Sequence, residues 1–297
     1  MNSIIDFCKN SGIRFIENEP LSNHISFKVG GRCKIMIFPD TEAKIIEAVK
    51  YLKENGIKYF IIGNGTNLIA YDEGYEGVIL NTSEYVNLST DGETIECSAG
   101  VSLIKICRLA LENSLTGLEF AYGIPGTAGG AAYMNAGAYG GEMKDVLAEC
   151  RFADTNGNTG VYKGDELQLG YRKSVFTGSD KIILSLTLKL KKGDTSEIRA
   201  KMDDLLSRRK AKQPLEYPSA GSTFKRPEGY YAGALIEKCG LKGYTVGGAS
   251  VSEKHAGFVI NKGGACANDI FNVIEHCRKT VFDIKGVTLE PEVRVIK

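Results

Sequence analysis

The sequence predicts an α+β protein of more than one domain, and three observations carry that prediction. At 297 residues the chain is long enough for two domains, or for one large domain with an appendage. The first third alternates short buried strands with amphipathic helices, and the stretch after Gly193 repeats such a mixture. Glycine accounts for 35 of 297 residues, well above the usual share of about 7%, and the excess is clustered.

Taken in order, residues 29–38 alternate as a strand. Asp40 then offers a side-chain acceptor to the free N–H groups of a helix start. That helix has Ile45, Ile46, Val49 and Leu52 on one face and ends at Gly56. Residues 59–62 form a short buried strand that runs into Gly63-Asn64-Gly65-Thr66-Asn67. Residues 77–81 and 94–99 read as strands, and 101–113 as a second amphipathic helix with Leu103, Ile106, Cys107, Ala110 and Leu111 inward. Residues 116–141 hold eight glycines, six alanines and one charged residue, Glu119, so they cannot build a core from their own side chains. Strands follow at 146–153 and 182–190, the first turning at Asn156-Gly157-Asn158. Asp194-x-x-Glu197 resembles a capping box, and the helix it opens carries Ile198, Met202, Leu205 and Leu206 before Pro214 and Pro218 break it. The remainder predicts a short helix at 232–239, strands at 244–251 and 257–261, a long helix from Asn268, and a final strand at 287–296.

Composition narrows the function. Apolar residues at 43% and charged residues at 25% give an ordinary globular balance and exclude a disordered chain. A net charge of +1 leaves no basic face for a phosphate backbone, so no nucleic-acid partner is expected. The eight cysteines include no CxxC pair and the three histidines lie apart from such pairs, so no metal is expected and the thiols read as reduced. The start MNSIIDFCKN lacks the pattern of a signal peptide, and no apolar run approaches the roughly 20 residues of a membrane span. The expectation is a cytoplasmic, soluble protein with no membrane partner.

A glycine turn after a strand can aim successive backbone N–H groups at a pyrophosphate. The 63–67 loop lacks both the Rossmann GxGxxG and the P-loop lysine, so a tight turn explains it equally well. A second glycine-rich segment, Gly123-Ile124-Pro125-Gly126-Thr127-Ala128-Gly129-Gly130, changes the balance. Two nests suggest one extended ligand with two anchoring regions, such as a dinucleotide cofactor. Close packing of backbone against backbone is the alternative.

Several motifs occur in order along the chain. They are Phe27-Lys28-Val29-Gly30-Gly31, the two glycine-rich segments, Tyr171-Arg172-Lys173-Ser174-x-Phe176, Ala220-Gly221-Ser222-Thr223-Phe224-Lys225 and Leu289-Glu290-Pro291-Glu292-Val293. From about Leu21 to the C-terminus this series resembles the UDP-N-acetylenolpyruvoylglucosamine reductase family, in its shorter form. The resemblance implies an FAD-binding domain of the vanillyl-alcohol-oxidase type, made of two α+β subdomains, plus a C-terminal α+β substrate-binding domain. The matching division is 1–80, 81–193 and 194–297. It further implies NADPH as reductant, a UDP-sugar as substrate, and FAD held by Gly63, Asn64, Gly65, Thr66, Asn67, Gly123, Ile124, Pro125, Gly126, Thr127, Gly129 and Gly130. No histidine lies in either glycine loop, so the FAD is expected to be non-covalent. A monomer is expected.

Reduction of an enolpyruvyl double bond asks for particular groups. Hydride addition leaves an enolate-like charge near the carboxylate, and a fixed cation aimed at it lowers the barrier. Arg172 is the candidate, because a guanidinium stays charged and grips a carboxylate with two bonds. By the resemblance Ser222 protonates the α-carbon; a serine is a poor acid in isolation, so a neighbouring cation or relay must favour its alkoxide. By residue type alone Ser222 reads rather as a turn serine bonding its own backbone. Glu292 is expected to donate from its neutral form to the enol oxygen, with Glu290 as its rival on the same face. Tyr171, Lys225 and Arg226 are candidates for substrate contact, and Tyr133 and Asn135 for facing flavin or substrate. Two other readings stay open: a flavin oxidase on the same fold, and a non-redox nucleotide-sugar binding protein.

Overall fold

Alternating apolar residues draw the first strands into a sheet in the order Arg14–Glu17, Cys33–Phe38, Tyr75–Asn81, Tyr59–Ile62 in a computed structural model describing residues 2–297. Arg14–Glu17 pairs antiparallel with Cys33–Phe38, and Tyr59–Ile62 pairs parallel with Tyr75–Asn81. The parallel pair requires a crossover, which residues 63–74 supply without a helix, and helix Glu42–Glu54 precedes its first strand. Ile45, Ala48, Val49 and Leu52 of that helix are buried in one core with Ile35, Ile37, Val78 and Leu80 of the sheet. Fully burying each large aliphatic side chain contributes about 1.5–3 kcal/mol. Helix Asn2–Asn10, which the sequence patterning did not predict, adds Ile4 and Cys8 to this core.

A second sheet is wholly antiparallel, ordered Thr159–Lys163, Leu147–Ala153, Ile182–Lys189, Thr94–Ser98, Leu88–Asp91. Its own core gathers Ile95, Leu186 and Leu188 with Leu103, Ile106 and Leu111 of helix Leu103–Glu112 and with Ala128, Ala131 and Ala132 of helix Ala128–Met134. The alanines matter here, because they let a short helix lie close to the strands.

By contacts the chain divides into two compact units. The first holds the N-terminal residues to Glu17, Ile35–Asn64 and Gly77–Arg208, and so both cores and both sheets apart from the first two residues of strands Cys33–Phe38 and Tyr75–Asn81. The second holds Asn18–Lys34, Gly65–Glu76 and Arg209–Lys297. Within it, Thr245–Val246, Ala249–Val251 and Val259–Asn261 form an antiparallel sheet, and Leu68–Ala70 pairs parallel with Arg294–Ile296. Helix Ala267–Lys285 buries Ile270, Val273, Ile274, Cys277 and Val281. The carboxylate of Asp72 accepts from the first N–H groups of that helix, Ala267 at 2.8 Å and Asn268 at 3.2 Å.

The sequence patterning is corrected in several places. The strand predicted at 29–38 begins at Cys33, because Lys28 and Gly30 take φ of 58° and 108°, outside extended backbone. Thr41, not Asp40, caps the next helix, accepting from Lys44 N, while Asp40 pairs with the Lys44 ammonium. The strand at 244–251 is a hairpin turning at Gly247-Gly248. The final strand shrinks to Arg294–Ile296; Pro291, just before it, has no N–H to give a ladder. Among the described residues no helix is long and apolar enough to cross a membrane. All eight cysteines are free, and burial pushes the thiols of Cys97 and Cys107 up to about 12, so they pack as small hydrophobes.

Candidate active site

In the first unit the strand Tyr59–Ile62 delivers Gly63 and Asn64 to the second glycine-rich segment. The Asn64 amide donates to the Pro125 carbonyl at 2.9 Å, and a Cβ at Gly63 would collide with the Thr127 side chain. The two nests read from the sequence are therefore in contact here. Thr127 caps helix Ala128–Met134, accepting from Gly130 N. Ala128 N donates to Val101 O at 2.7 Å, and Gly129 N to Ala99 O at 2.9 Å. A Cβ at Gly129 would lie 2.8 Å from that of Ala99, so the helix start has no room to carry one.

Gly130 differs from its neighbour. It is exposed, has no positive φ, and a Cβ there would meet nothing closer than 3.5 Å. Neither packing nor backbone conformation asks for glycine at this position. Pro125 is also exposed, and Gly123, Ile124 and Gly126 are half-exposed, so the segment offers backbone and little side chain at its surface.

Arg172 sits at the tip of a two-residue turn in the same unit. Gly170 and Lys173 close it through reciprocal backbone bonds of 3.0 and 3.1 Å. Arg172 takes φ of 55°, a left-handed conformation that costs a bulky residue of order 1–3 kcal/mol and persists only when its surroundings hold it. Its guanidinium carbon stands 5.2 Å from the ring centroid of Tyr171, which is 54% exposed. The turn is fixed on both flanks: Asn135 Nδ2 donates to Gly170 O at 3.1 Å, and Ser174 Oγ to Tyr133 O at 2.8 Å. Asn135 is buried and its amide is engaged within the protein, which corrects the expectation that it faces flavin or substrate.

The second unit carries Gly65, Thr66 and Asn67. Gly65, with φ of 61°, packs against the His24 carbonyl and accepts from Ser26 N. Asn67 joins this loop to the C-terminal segment: its amide donates to Glu292 O at 3.2 Å, and its carbonyl accepts from Arg294 N at 3.0 Å. Glu292 N in turn donates to Thr223 O at 2.8 Å, and Lys225 N to Glu290 O at 2.9 Å, around a bridge between Phe224 and Pro291. The segments of Ser222 and Glu292, far apart in sequence, thus run side by side. Thr223 is the anchor, buried, with its N–H on Gly257 O and its hydroxyl accepting from Val259 N at 3.0 Å. Next to it Gly221 turns the chain with φ of 76°, and Ser222 is exposed.

The rival carboxylates separate by environment. Glu290 is exposed and ion-paired with Lys225, whereas Glu292 is half-buried. Arg226 is exposed, its guanidinium carbon 4.5 Å from the Tyr231 ring centroid. Sequence reasoning passed over the tie from Asn67 to Glu292 and the anchoring by Thr223. Neither leaves a local signal, since each joins residues remote in sequence.

Residues 33–160 match an FAD binding domain, and residues 213–296 match the UDP-N-acetylenolpyruvoylglucosamine reductase C-terminal domain. The chain is 46% identical over 301 aligned residues to a UDP-N-acetylenolpyruvoylglucosamine reductase of Clostridium perfringens, covering 100% of this chain and 99% of that one. It is 48% identical to the reductase so named in Caldanaerobacter subterraneus subsp. tengcongensis, covering 94% and 92%. The crystal structure of the UDP-N-acetylenolpyruvylglucosamine reductase of Thermus caldophilus superposes with a TM-score of 0.81 at 33% identity, covering 96% of this chain and 99% of that one. The chain belongs to the UDP-N-acetylenolpyruvoylglucosamine reductase family.

Proposed function

We propose that this protein reduces UDP-N-acetylenolpyruvoylglucosamine to UDP-N-acetylmuramate with NADPH, an FAD-dependent step of peptidoglycan precursor synthesis. The observation that carries this reading is a kinship with the reductases that runs the length of both chains. When bound, FAD supplies the two-electron chemistry that couples NADPH oxidation to reduction of the enolpyruvyl double bond. The glycine-rich segment fits such a group, since at Gly130 a glycine is kept on an exposed helical turn without any packing need. Gly63, Asn64, Gly65, Thr66 and Asn67, with Gly123, Ile124, Pro125, Gly126, Thr127, Gly129 and Gly130, are assigned to holding it non-covalently.

Each residue of the trio takes one task. Arg172 stabilises the charge that develops beside the substrate carboxylate. Ser222 delivers the proton to the α-carbon, and Glu292 hydrogen-bonds the enol oxygen. Tyr171, Lys225 and Arg226 are assigned to the nucleotide sugar. The pairing of Lys225 with Glu290 supports a role in which that lysine orients the Ser222 segment as well as meeting phosphate. The division assigned is 1–80, 81–193 and 194–297; a first core drawn mostly from residues up to Leu80 and a second drawn mostly from 95–190 support its first boundary, with Tyr85, Ala153, Ile182 and Leu184 crossing into the first core and Ile198 and Met202 into the second. A cytoplasmic monomer without nucleic-acid or membrane partners completes the proposal; the near-neutral charge supports the absence of a nucleic-acid partner.

Anaerobic stopped-flow tests it. NADPH should bleach the flavin, and the enolpyruvyl nucleotide sugar alone should restore its colour. A flavin re-oxidised by oxygen but indifferent to the nucleotide sugar would replace this reading with a flavin oxidase, and a colourless protein that binds no flavin with a nucleotide-sugar binding protein.

A further inference from the structure

Asn135 uses both ends of its amide near the proposed catalytic Arg172. It is 1% exposed and ends helix Ala128–Met134 in a left-handed conformation, φ 42°. Its Nδ2 donates to Glu142 Oε2 at 3.0 Å and to Gly170 O at 3.1 Å, and its Oδ1 accepts from Lys144 N at 2.8 Å. One amide therefore joins three segments: the helix that starts at the glycine-rich cradle, the hairpin of Gly137–Ala138 and Gly141–Glu142, and the root of the Arg172 turn. Two residues before it, Tyr133 O accepts from Ser174 Oγ at 2.8 Å, on the far flank of the same turn.

The arrangement has a consequence for Arg172. Arg172 stands on a two-residue turn with φ of 55°, closed by backbone bonds between Gly170 and Lys173 and, just outside them, from Val175 N to Leu167 O. The ties at Gly170 and Ser174 reference that turn to the helix of Asn135 and Tyr133. We infer that Asn135, with Ser174, is a positioning residue for Arg172: neither touches substrate, and both set where the guanidinium stands. The inference rests on the proposed role of Arg172, and misplacement of a charged group by about 1 Å can cost up to roughly 100-fold in rate.

Asn135→Gly suits the test, because glycine keeps the left-handed helix end and deletes only the amide. Ser174→Ala removes the second tie independently, should the first variant fold poorly. In the FAD-loaded protein, amide exchange of residues 170–174 should quicken in either variant while the flavin-to-protein ratio is kept. Flavin reduction by NADPH should stay within about two-fold, and re-oxidation by the nucleotide sugar should slow roughly 10–100-fold. Combined with Arg172→Ala, neither variant should slow re-oxidation further, since residues acting through one group are not additive. Full additivity on top of Arg172→Ala, or equal slowing of both half-reactions, overturns the inference. If Arg172→Ala itself re-oxidises at the wild-type rate, the role of Arg172 has failed and the positioning falls with it.

Discussion

The glycine-rich segment of the first unit and the Ser222–Glu292 segments of the second are built on opposite principles. Around 123–130 the protein removes side chains, so that a helix can lie against strand ends while its outer turn stays bare. Gly129 and Gly130 show both uses side by side: one fills a gap too narrow for a methyl group, the other leaves a surface open that has room for one. Around Ser222 the protein instead adds backbone bonds between stretches remote in sequence. Asn67 holds Glu292 and Arg294, Glu292 holds Thr223, and Thr223 is buried on Gly257 and Val259. The cradle proposed at 123–130 is made by composition, the proton-handling pair proposed at Ser222 and Glu292 by topology.

Substitutions at the two places should therefore fail in different ways. Gly129→Ala should do the most damage: its Cβ meets Ala99 at 2.8 Å while its N–H is tied to Ala99 O, so the helix start must move. We expect a loss of about 1–3 kcal/mol in urea unfolding together with a lower flavin-to-protein ratio. Wild-type stability with full flavin would show the packing reason to be wrong. Thr223→Val should cost a similar or smaller amount, about 1–3 kcal/mol, by leaving Val259 N–H without its acceptor. Here flavin content and reduction by NADPH should survive while substrate reduction falls; the reverse pattern would erase the contrast between the two regions.

Glu119 gives the comparison a pH dependence. It is the one charged residue of 116–141 and is 3% exposed. Burial opposes its ionisation most strongly, yet hydrogen bonds from Thr116 and from the Glu119 and Gly117 backbone, with the charge of Lys201, together hold its carboxyl below the usual value. A carboxyl whose folded pKa is depressed adds stability above its unfolded pKa, about 4.3, and loses it as pH falls through the folded value. Glu119→Gln should thus cost about 1–3 kcal/mol near neutrality. The gap to wild type should narrow progressively below about pH 4. A gap that stays constant to low pH would mean the charge contributes nothing. Gly130→Ala should have the smallest effect on folding and the opposite sign, a gain of about 0.5–1 kcal/mol in the cofactor-free protein, with weaker FAD binding. Unchanged FAD affinity would remove Gly130 from the cradle.

What the sequence made legible follows the same divide. Strand Tyr59–Ile62 and helix Leu103–Glu112 fall where apolar periodicity puts them, because each reads its neighbours along the chain. The glycine excess announced an unusual segment without saying which glycines serve packing, a matter of what lies across from each. Helix Asn2–Asn10 is short, and its apolar residues are divided between buried Ile4 and Cys8 and half-buried Ile5 and Phe7, so its periodicity is faint in the sequence. The shortened final strand turns on Pro291, and the engaged state of Asn135 on partners at Glu142, Lys144 and Gly170. The motif series pointed to Ser222 and Glu292 as candidates; only the folded chain shows that their segments are bonded to each other.

The central claim is that Ser222 and Glu292 of the second unit handle the substrate's proton while the glycine-rich segment 123–130 of the first serves the flavin. Ser222→Ala, followed through both half-reactions without oxygen, tests it most directly. The variant should bind FAD and be reduced by NADPH at close to the wild-type rate, then pass its electrons to the nucleotide sugar about 100-fold or more slowly. Transfer to the sugar at the wild-type rate would take Ser222 out of the chemistry and contradict the account.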